Sequence, residues 1–196
     1  MTEIITNILM AGVGGQGIIM ASNILSEALL AAGYDVKKSE VHGMAQRGGS
    51  VVSHVRFGEK VYSPLIRKGD VDILYCLELL ESLRYTDYLK KDSVIILNKY
   101  RLNPPSVSLG VQTYPEEIPE LVRENFPKTV ILDGVEMARG VGNPKTVSTV
   151  ILGHLSRYID IPVTVWSDVM KERLPKKIFD VNLKAFDAGR SVERVA

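Results

Sequence analysis

The sequence predicts an α/β protein in which a doubly wound, mostly parallel sheet is flanked by helices. Short apolar runs typical of buried strands alternate with longer segments of helical period along the 196 residues. The run at 93–97 is apolar almost throughout, as expected of a strand covered on both faces. A glycine-rich turn joins the first strand to the first helix. At about 150 residues per domain, the length predicts one domain over residues 1–196.

In the first third of the chain, apolar spacing and glycines define the elements. The first helix is predicted at 16–32, because its apolar residues recur at helical spacing and Gly33 is placed to end it. The third strand alternates in period two, and Gly58 and Glu59 form a hairpin turn into Val61–Tyr62. The predicted elements are strands at 4–11, 34–41 and 50–57, a helix at 16–32, and an antiparallel hairpin near 50–62.

The remainder of the chain continues the alternation of strands and helices. Its strands are short apolar runs, and a proline stands near the first turn of one helix, where the missing N–H is tolerated. The predicted strands are 71–76, 93–97, 111–114 and 129–133, and the predicted helices are 78–89, 115–124, 146–159, 166–174 and 177–188, the last ending at Gly189.

Composition excludes several functions. The chain has 24 basic and 23 acidic residues, and a net charge of +1 gives no general attraction to nucleic acid or to an anionic membrane. Its one cysteine, Cys76, allows neither an internal disulfide nor the four thiolates of an iron–sulfur cluster. The start of the chain lacks the basic residues of a signal peptide, and no apolar stretch is long enough to span a bilayer. We therefore expect a cytoplasmic protein.

The first candidate site is the G-x-G-x-x-G turn between the first strand and helix. Gly12 permits a tight turn, Gly14 lets the backbone approach a ligand, and Gly17 lets the helix pack closely. The N–H groups at a helix start attract anions. We predict a phosphate- or anion-binding loop or an interface loop, formed by Gly12, Gly14, Gly15, Gln16 and Gly17.

The second candidate is the polar, glycine-bearing segment between the second and third strands. If the first two strands are parallel neighbours, it lies at the sheet edge where α/β proteins bind ligands. Arg47 suits a carboxylate or phosphate, and His42 titrates near neutral pH, so these two are the catalytic candidates. The predicted substrate or partner interface is Glu40, His42, Gln46, Arg47, Gly48, Gly49 and Ser50. Glu40 also stands where a dinucleotide-binding protein places its ribose-binding acid.

Other candidates are weaker. The three histidines have no metal-ligand spacing, and no metal site is predicted. Glu78 and Glu81 are interpreted as helix-surface charges, and Asp70 and Asp72 as charges at the entry of a strand. Cys76 lies in an apolar strand and is interpreted as an inert core residue.

The two glycine-rich motifs together resemble the gamma-type subunit of the 2-oxoacid:ferredoxin oxidoreductases. The motif Gly43-Met-Ala-Gln-Arg-Gly-Gly is most similar to the motif found in the small subunits of the indolepyruvate type. The resemblance continues through 70–85 and resumes at 182–186, whereas residues 99–145 match only in general character. It implies a Rossmann-like domain within an enzyme that converts a 2-oxoacid, coenzyme A and oxidised ferredoxin to acyl-CoA, carbon dioxide and reduced ferredoxin.

The resemblance also implies a division of labour. A large partner subunit would hold, alone or together with this chain, thiamine diphosphate, magnesium, 4Fe-4S clusters and coenzyme A. Ferredoxin would bind to the assembled complex. This chain would hold none of these cofactors alone and would be inactive alone. An exposed partner-binding face is compatible with a homodimer of the isolated chain. Two other interpretations stay open: a stand-alone NAD(P)-dependent dehydrogenase, and a scaffold or binding protein that lost its partner.

Overall fold

The inner strands of the sheet carry apolar side chains on one or both faces. The computed structural model describes residues 5–42 and 49–195. In β1, Ile8 and Met10 face one side of the sheet while Leu9 and Ala11 face the other, and all four are fully buried. This is why the strand is apolar without interruption. Within the described residues the strands are β1 (Thr6–Val13), β2 (Asp35–His42), β3 (Ser50–Gly58), β4 (Val71–Cys76), β5 (Leu89–Asn98) and β6 (Thr129–Leu132).

The six strands form one mixed sheet in the order β2-β3-β1-β4-β5-β6. Strands β1, β4, β5 and β6 pair in parallel, and β3 is antiparallel to both of its neighbours, β1 and β2. The mostly parallel α/β fold is therefore confirmed. Two details differ from the expectation: β3 separates β1 from β2, so these are not neighbours, and β3 forms its hairpin with β2 rather than with Val61–Tyr62, which is not a strand.

The sequence signals place some of the helix ends correctly and others not. Gly33 has φ +91° and follows the helix α1 (Ile18–Ala31), as predicted. The predicted strand 111–114 is absent, the helix after β6 was not predicted, and Gly189 lies inside the last helix rather than at its end. The described helices are α1 (Ile18–Ala31), α2 (Leu79–Arg84), α3 (Pro105–Ser108), α4 (Ile118–Asn125), α5 (Gly134–Gly140), α6 (Val147–Leu155), α7 (Val163–Arg173) and α8 (Lys176–Ser191). In the part of the chain that is described, no helix combines the length and apolarity needed to cross a membrane.

The core consists of two layers, one on each face of the sheet. Helices α1, α6, α7 and α8 contribute to the larger layer, which includes the fully buried Trp166 and Phe186. Helices α2 and α4 cover the other face together with Ile66 and Tyr114. Because α1 and α2 lie on opposite faces, the turns after β1 and β4 are on either side of a crevice at the carboxyl edge. Open α/β sheets bind ligands at such a point.

Helices α6 and α8 cross in direct backbone contact. Gly153 lies against the backbone of Phe186, and Gly189 lies against the backbone of Val150. A Cβ at Gly189 would lie 1.8 Å from the carbonyl oxygen of Val150, so there is no space for any side chain. The two glycines therefore fix how closely the helices approach.

Two buried imidazoles make stability depend on pH. Burial lowers the pKa of His154 and of His54 below the ordinary value of 6.5, and the charge of Arg157 acts in the same direction on His154. The unfolded chain therefore binds more protons than the folded one below pH 6.5. We expect acidification from pH 7.5 to 5.5 to lower the free energy of unfolding by up to about 1.4 kcal/mol per histidine.

Urea unfolding at both pH values measures this effect. His154→Gln, which cannot become charged, should lose the contribution of that one residue to the pH dependence. An equally steep pH dependence in His154→Gln would show that the imidazole does not titrate with unfolding.

Candidate functional site

The glycine turn lies at the carboxyl edge of the sheet. The backbone N–H of Gly14 donates to the carbonyl oxygen of Gly49 at 2.9 Å, which joins this turn to the residue before β3. Gly49, at the end of the second motif, therefore meets the glycine turn at this edge, although β1 and β2 are not the parallel neighbours that the prediction assumed. Gly49 and the turn meet because β3 returns the chain to the side of β1.

The glycines of the turn have separate steric roles. The left-handed residues are Gly15, with φ +97°, and Gly17, with φ +90°, and other residues rarely adopt this conformation. A Cβ at Gly17 would lie 2.7 Å from the hydroxyl of Ser148, so Gly17 permits close packing of helix on helix rather than of helix on sheet. Gly12 is part of β1 and leaves space for Gln16 instead of forming the turn.

Two amide side chains hold the turns of this edge together. Gln16 accepts the N–H of Val13 at 2.7 Å and donates to the carbonyl of Leu77 at 3.4 Å. Asn98 donates to the same carbonyl at 3.1 Å and accepts the N–H of Gly134 at 3.0 Å. The turns that follow β1, β4 and β6 are thus linked through side chains before any ligand binds.

A groove of about 650 Å³ opens above these amides on the α1 side of the crevice. Its floor includes Gly15, Gln16 and Asn98, and its rim carries the exposed Arg139 and Lys145. Arg139 approaches Glu136 at 3.7 Å, and its side chain is 65% exposed. A glycine turn, a helix start and two exposed cations favour an anionic ligand. Sequence reasoning missed Arg139 and Lys145, because both lie far along the chain from the turn.

The second predicted segment is described only in part. Gln46, Arg47 and Gly48 lie outside the described residues, as does the side chain of His42. Glu40 faces α1, where it accepts from Lys38 at 2.8 Å and from Ser22 at 3.4 Å. Because β3 lies between β1 and β2, Glu40 is not on the strand next to the glycine turn, and this arrangement departs from the dinucleotide-binding pattern.

Ser50 is turned towards the protein interior and contacts α2. Its hydroxyl donates to Glu81 at 2.5 Å and lies 3.1 Å from the hydroxyl of Tyr85. The predicted interface residue therefore has an internal partner, which the sequence did not indicate.

Glu78 and Glu81 are buried, so their interpretation as helix-surface charges is wrong. Glu78 is 1% exposed and accepts from the N–H of Glu81 and of Leu102, both at 3.0 Å, and from the hydroxyl of Tyr114 at 2.6 Å. Glu81 is 4% exposed and accepts from Arg84 at 3.0 Å as well as from Ser50. Through these hydrogen bonds the two carboxylates hold neighbouring segments in place.

Neither the single cysteine nor the described acidic residues fit an iron–sulfur cluster or the magnesium of thiamine diphosphate. Cys76 is fully buried, and burial raises the pKa of its thiol, which makes it a poor ligand. Asp133 accepts the N–H of Glu136 at 3.0 Å as the cap of α5. Among the described residues, no group of three or more histidine, cysteine, aspartate or glutamate side chains could hold a metal ion.

Comparison with known proteins identifies the family. The sequence profile described as Pyruvate ferredoxin/flavodoxin oxidoreductase matches residues 7–192. The chain belongs to this family. The resemblance carried by the two glycine-rich motifs is thereby confirmed, and with it the assignment to the subunits of 2-oxoacid:ferredoxin oxidoreductases.

Relatives within the family are similar over almost their whole length. The chain is 43% identical over 188 residues to indolepyruvate oxidoreductase subunit IorB of Pyrococcus horikoshii, covering 93% of each chain. It is 40% identical over 187 residues to IorB of Archaeoglobus fulgidus, covering 93% of this chain and 92% of that protein.

Solved structures of the family share the fold. The gamma subunit of a keto/oxoacid ferredoxin oxidoreductase from Geobacter sulfurreducens superimposes with a TM-score of 0.69 at 24% identity, covering 94% of this chain and 95% of that one. The 2-oxoglutarate:ferredoxin oxidoreductase of Magnetococcus marinus superimposes with a TM-score of 0.72 at 21% identity, covering 95% of this chain and 30% of that one. The same fold therefore occurs as one part of a longer family chain.

Proposed function

We propose that this chain is the small, non-autonomous subunit of an oxidoreductase that acts on indolepyruvate or another aryl pyruvate. The supporting observation is the identity of 43% and 40%, over 93% of this chain, to indolepyruvate oxidoreductase subunits of two organisms. In the proposed reaction the 2-oxoacid loses carbon dioxide and its acyl carbon is joined to the sulfur of coenzyme A. Two electrons pass to ferredoxin, and the thiol proton is released.

The partner in this proposal is a large subunit that holds thiamine diphosphate with magnesium and the 4Fe-4S clusters. Cys76 cannot supply a cluster, so the electron carriers are placed on another chain. The carboxyl edge is the surface proposed to face that partner, because the glycine turn, the charged groove and the start of β3 meet there. The segment with Gln46, Arg47 and Gly48 joins β2 to β3 at this edge.

The groove beside the glycine turn is proposed to take the phosphate groups of coenzyme A. Coenzyme A is the phosphate-bearing substrate of the proposed reaction. Arg139 and Lys145 supply positive charge, and Gly15 leaves the groove floor without a side chain. A charge-assisted hydrogen bond to an anion contributes about 1.5–3 kcal/mol.

The test reconstitutes the chain with its large subunit and measures dye or ferredoxin reduction with indolepyruvate, phenylpyruvate, pyruvate and 2-oxoglutarate. The complex should reduce the acceptor only when coenzyme A is present, with a higher kcat/KM for the aryl pyruvates. Neither subunit alone should be active. Preference for pyruvate or 2-oxoglutarate would contradict the proposed substrate, and full activity of the large subunit alone would contradict the subunit role.

Removing the groove charges should weaken coenzyme A binding. In the reconstituted enzyme, Arg139→Ala with Lys145→Ala should raise the KM for coenzyme A by at least about tenfold, because each lost contact costs about 1.5–3 kcal/mol. The matched control is Arg67→Ala with Lys91→Ala, which removes two exposed cations near the amino edge of the sheet. An equal rise in both double variants would mean that the effect is one of general charge and not of this groove.

A further inference from the structure

Helix α2 carries a buried carboxylate that the proposed function does not use. Glu81 is 4% exposed, and both of its oxygens are occupied: Oε2 accepts from Ser50 at 2.5 Å and Oε1 accepts from Arg84 at 3.0 Å. Taking a carboxylate out of water is unfavourable unless hydrogen bonds compensate for the lost solvation. Its partners are therefore the reason it is accommodated, and Ser50 is the partner that belongs to another element.

The hydrogen bonds around Ser50 have a fixed direction. The Ser50 hydroxyl has one proton, which it donates to Glu81, so the hydroxyl of Tyr85 at 3.1 Å donates to Ser50 in turn. Burial raises the pKa of the Tyr85 hydroxyl, and the Glu81 carboxylate acts in the same direction, so Tyr85 keeps its proton at neutral pH. The network therefore runs from Tyr85 through Ser50 to Glu81.

Ser50 connects this network to the glycine turn. It is the first residue of β3, and the preceding residue, Gly49, accepts the N–H of Gly14 at 2.9 Å. A continuous chain of contacts thus links the Glu81 carboxylate to Ser50, to the neighbouring Gly49 carbonyl and to the N–H of Gly14. A cavity of about 260 Å³ beside Ser50, Glu81 and Arg84 leaves the β3 start without close packing on that side. In addition to the pairing of Ser50 with Val13 in the sheet, the Ser50–Glu81 hydrogen bond ties the β3 start to α2.

We propose that Glu81 is a positioning residue that holds the start of β3 and, through it, the glycine turn in the geometry needed at the carboxyl-edge site. The inference rests on the proposed function, because the glycine turn lines the groove that is proposed to bind the anionic substrate. Glu81 touches no reacting atom. It acts through Ser50 and Gly49.

The experiment uses the complex reconstituted from full-length subunits. In Glu81→Gln a single carbonyl oxygen replaces the two carboxylate oxygens that accept from Ser50 and Arg84, and the negative charge is lost. We expect it to raise the KM for coenzyme A about tenfold with kcat changed less than twofold, because displacement of a binding loop acts on substrate binding. Ser50→Ala should raise the KM to a similar extent. The double variant should be no worse than either single variant, because all three break the same link.

Asp72→Asn is the matched control. Asp72 is likewise a carboxylate with two donors, the backbone N–H of Asn7 at 2.8 Å and the ammonium group of Lys90, but it lies at the amino edge of the sheet. Asp72→Asn should lower the Tm to a similar degree as Glu81→Gln while leaving the KM unchanged. The inference is overturned if Asp72→Asn raises the KM equally, if Glu81→Gln leaves it unchanged, or if the effects of Ser50→Ala and Glu81→Gln multiply.

A second measurement separates this inference from the proposed function. In the isolated full-length chain, amide hydrogen exchange at Gly14 should be at least about tenfold faster in Glu81→Gln than in the wild type, because its acceptor is released. If the wild-type complex has no 2-oxoacid activity but this exchange is accelerated, the proposed function fails and the link from Glu81 to Gly14 stands. Unchanged exchange at Gly14 would overturn the link itself.

Discussion

Gly189→Ala should lower the free energy of unfolding by about 3 kcal/mol, because overpacking forces rigid elements apart. The new Cβ would lie 1.8 Å from the carbonyl oxygen of Val150, and neither backbone can move without separating α6 from α8. Helix α6 is buried over most of its length, so its displacement disturbs the larger layer of the core. In a chain of this size, each kcal/mol shifts the Tm by about 2–4 °C, so thermal unfolding measures the effect directly.

Gly140→Ala is the control for this substitution. Gly140 is also a helical glycine, at the end of α5, but a Cβ there meets nothing within 4 Å. The variant should be neutral, or more stable by up to about 1 kcal/mol, because alanine restricts the unfolded chain. A similar loss of stability in both variants would attribute the effect to glycine replacement in general and not to the helix crossing.

Glu78→Ala should have the other large effect, a loss of about 3 kcal/mol in the free energy of unfolding. The substitution removes the acceptor of three donors, namely the N–H groups of Glu81 and Leu102 and the hydroxyl of Tyr114. A buried donor left without an acceptor costs about 1–3 kcal/mol. Chemical denaturation followed by circular dichroism measures the loss, and exchange at the Leu102 amide reports whether the segment after β5 is released.

Glu78→Gln separates the number of acceptors from the charge. Its single carbonyl oxygen can retain Leu102 and Tyr114, both of which bond to Oε1 in the wild type, whereas the N–H of Glu81 loses its partner. We expect roughly half of the loss seen in Glu78→Ala. Equal losses in the two variants would mean that the negative charge, and not the count of acceptors, holds this network together.

The parts of the fold that the sequence predicted are those decided by local pattern. The run Ile8–Ala11 is apolar on both faces, and the glycine turn follows it directly, so the strand, the turn and the helix were predicted together. The two predicted strands that are absent failed for a nonlocal reason. Both edges of β3 are occupied by β1 and β2, so 61–62 cannot pair with β3, and β6 takes the place beside β5 that a strand at 111–114 would have used.

The parts of the site that the sequence did not predict depend on contacts between distant segments. Glu81 looks like a surface charge until Ser50, 31 residues away, is brought to it. Arg139 and Lys145 join the glycine turn only through the order of strands and helices. Gly12 and Gly17 were expected at the right turn, but the atoms they make room for belong to Gln16 and Ser148, and the spacing of glycines carries no information about such partners.

Because β3 is antiparallel to β2, the segment between these two strands differs from a connection in an all-parallel sheet. In a parallel sheet, a segment at the carboxyl edge is followed by a crossover to the other end of the sheet. Here the segment after β2 returns at once into β3, so both of its ends are anchored on paired neighbouring strands, His42 opposite Val51. A change in the length of this segment would leave the order and the pairing of the six strands as they are.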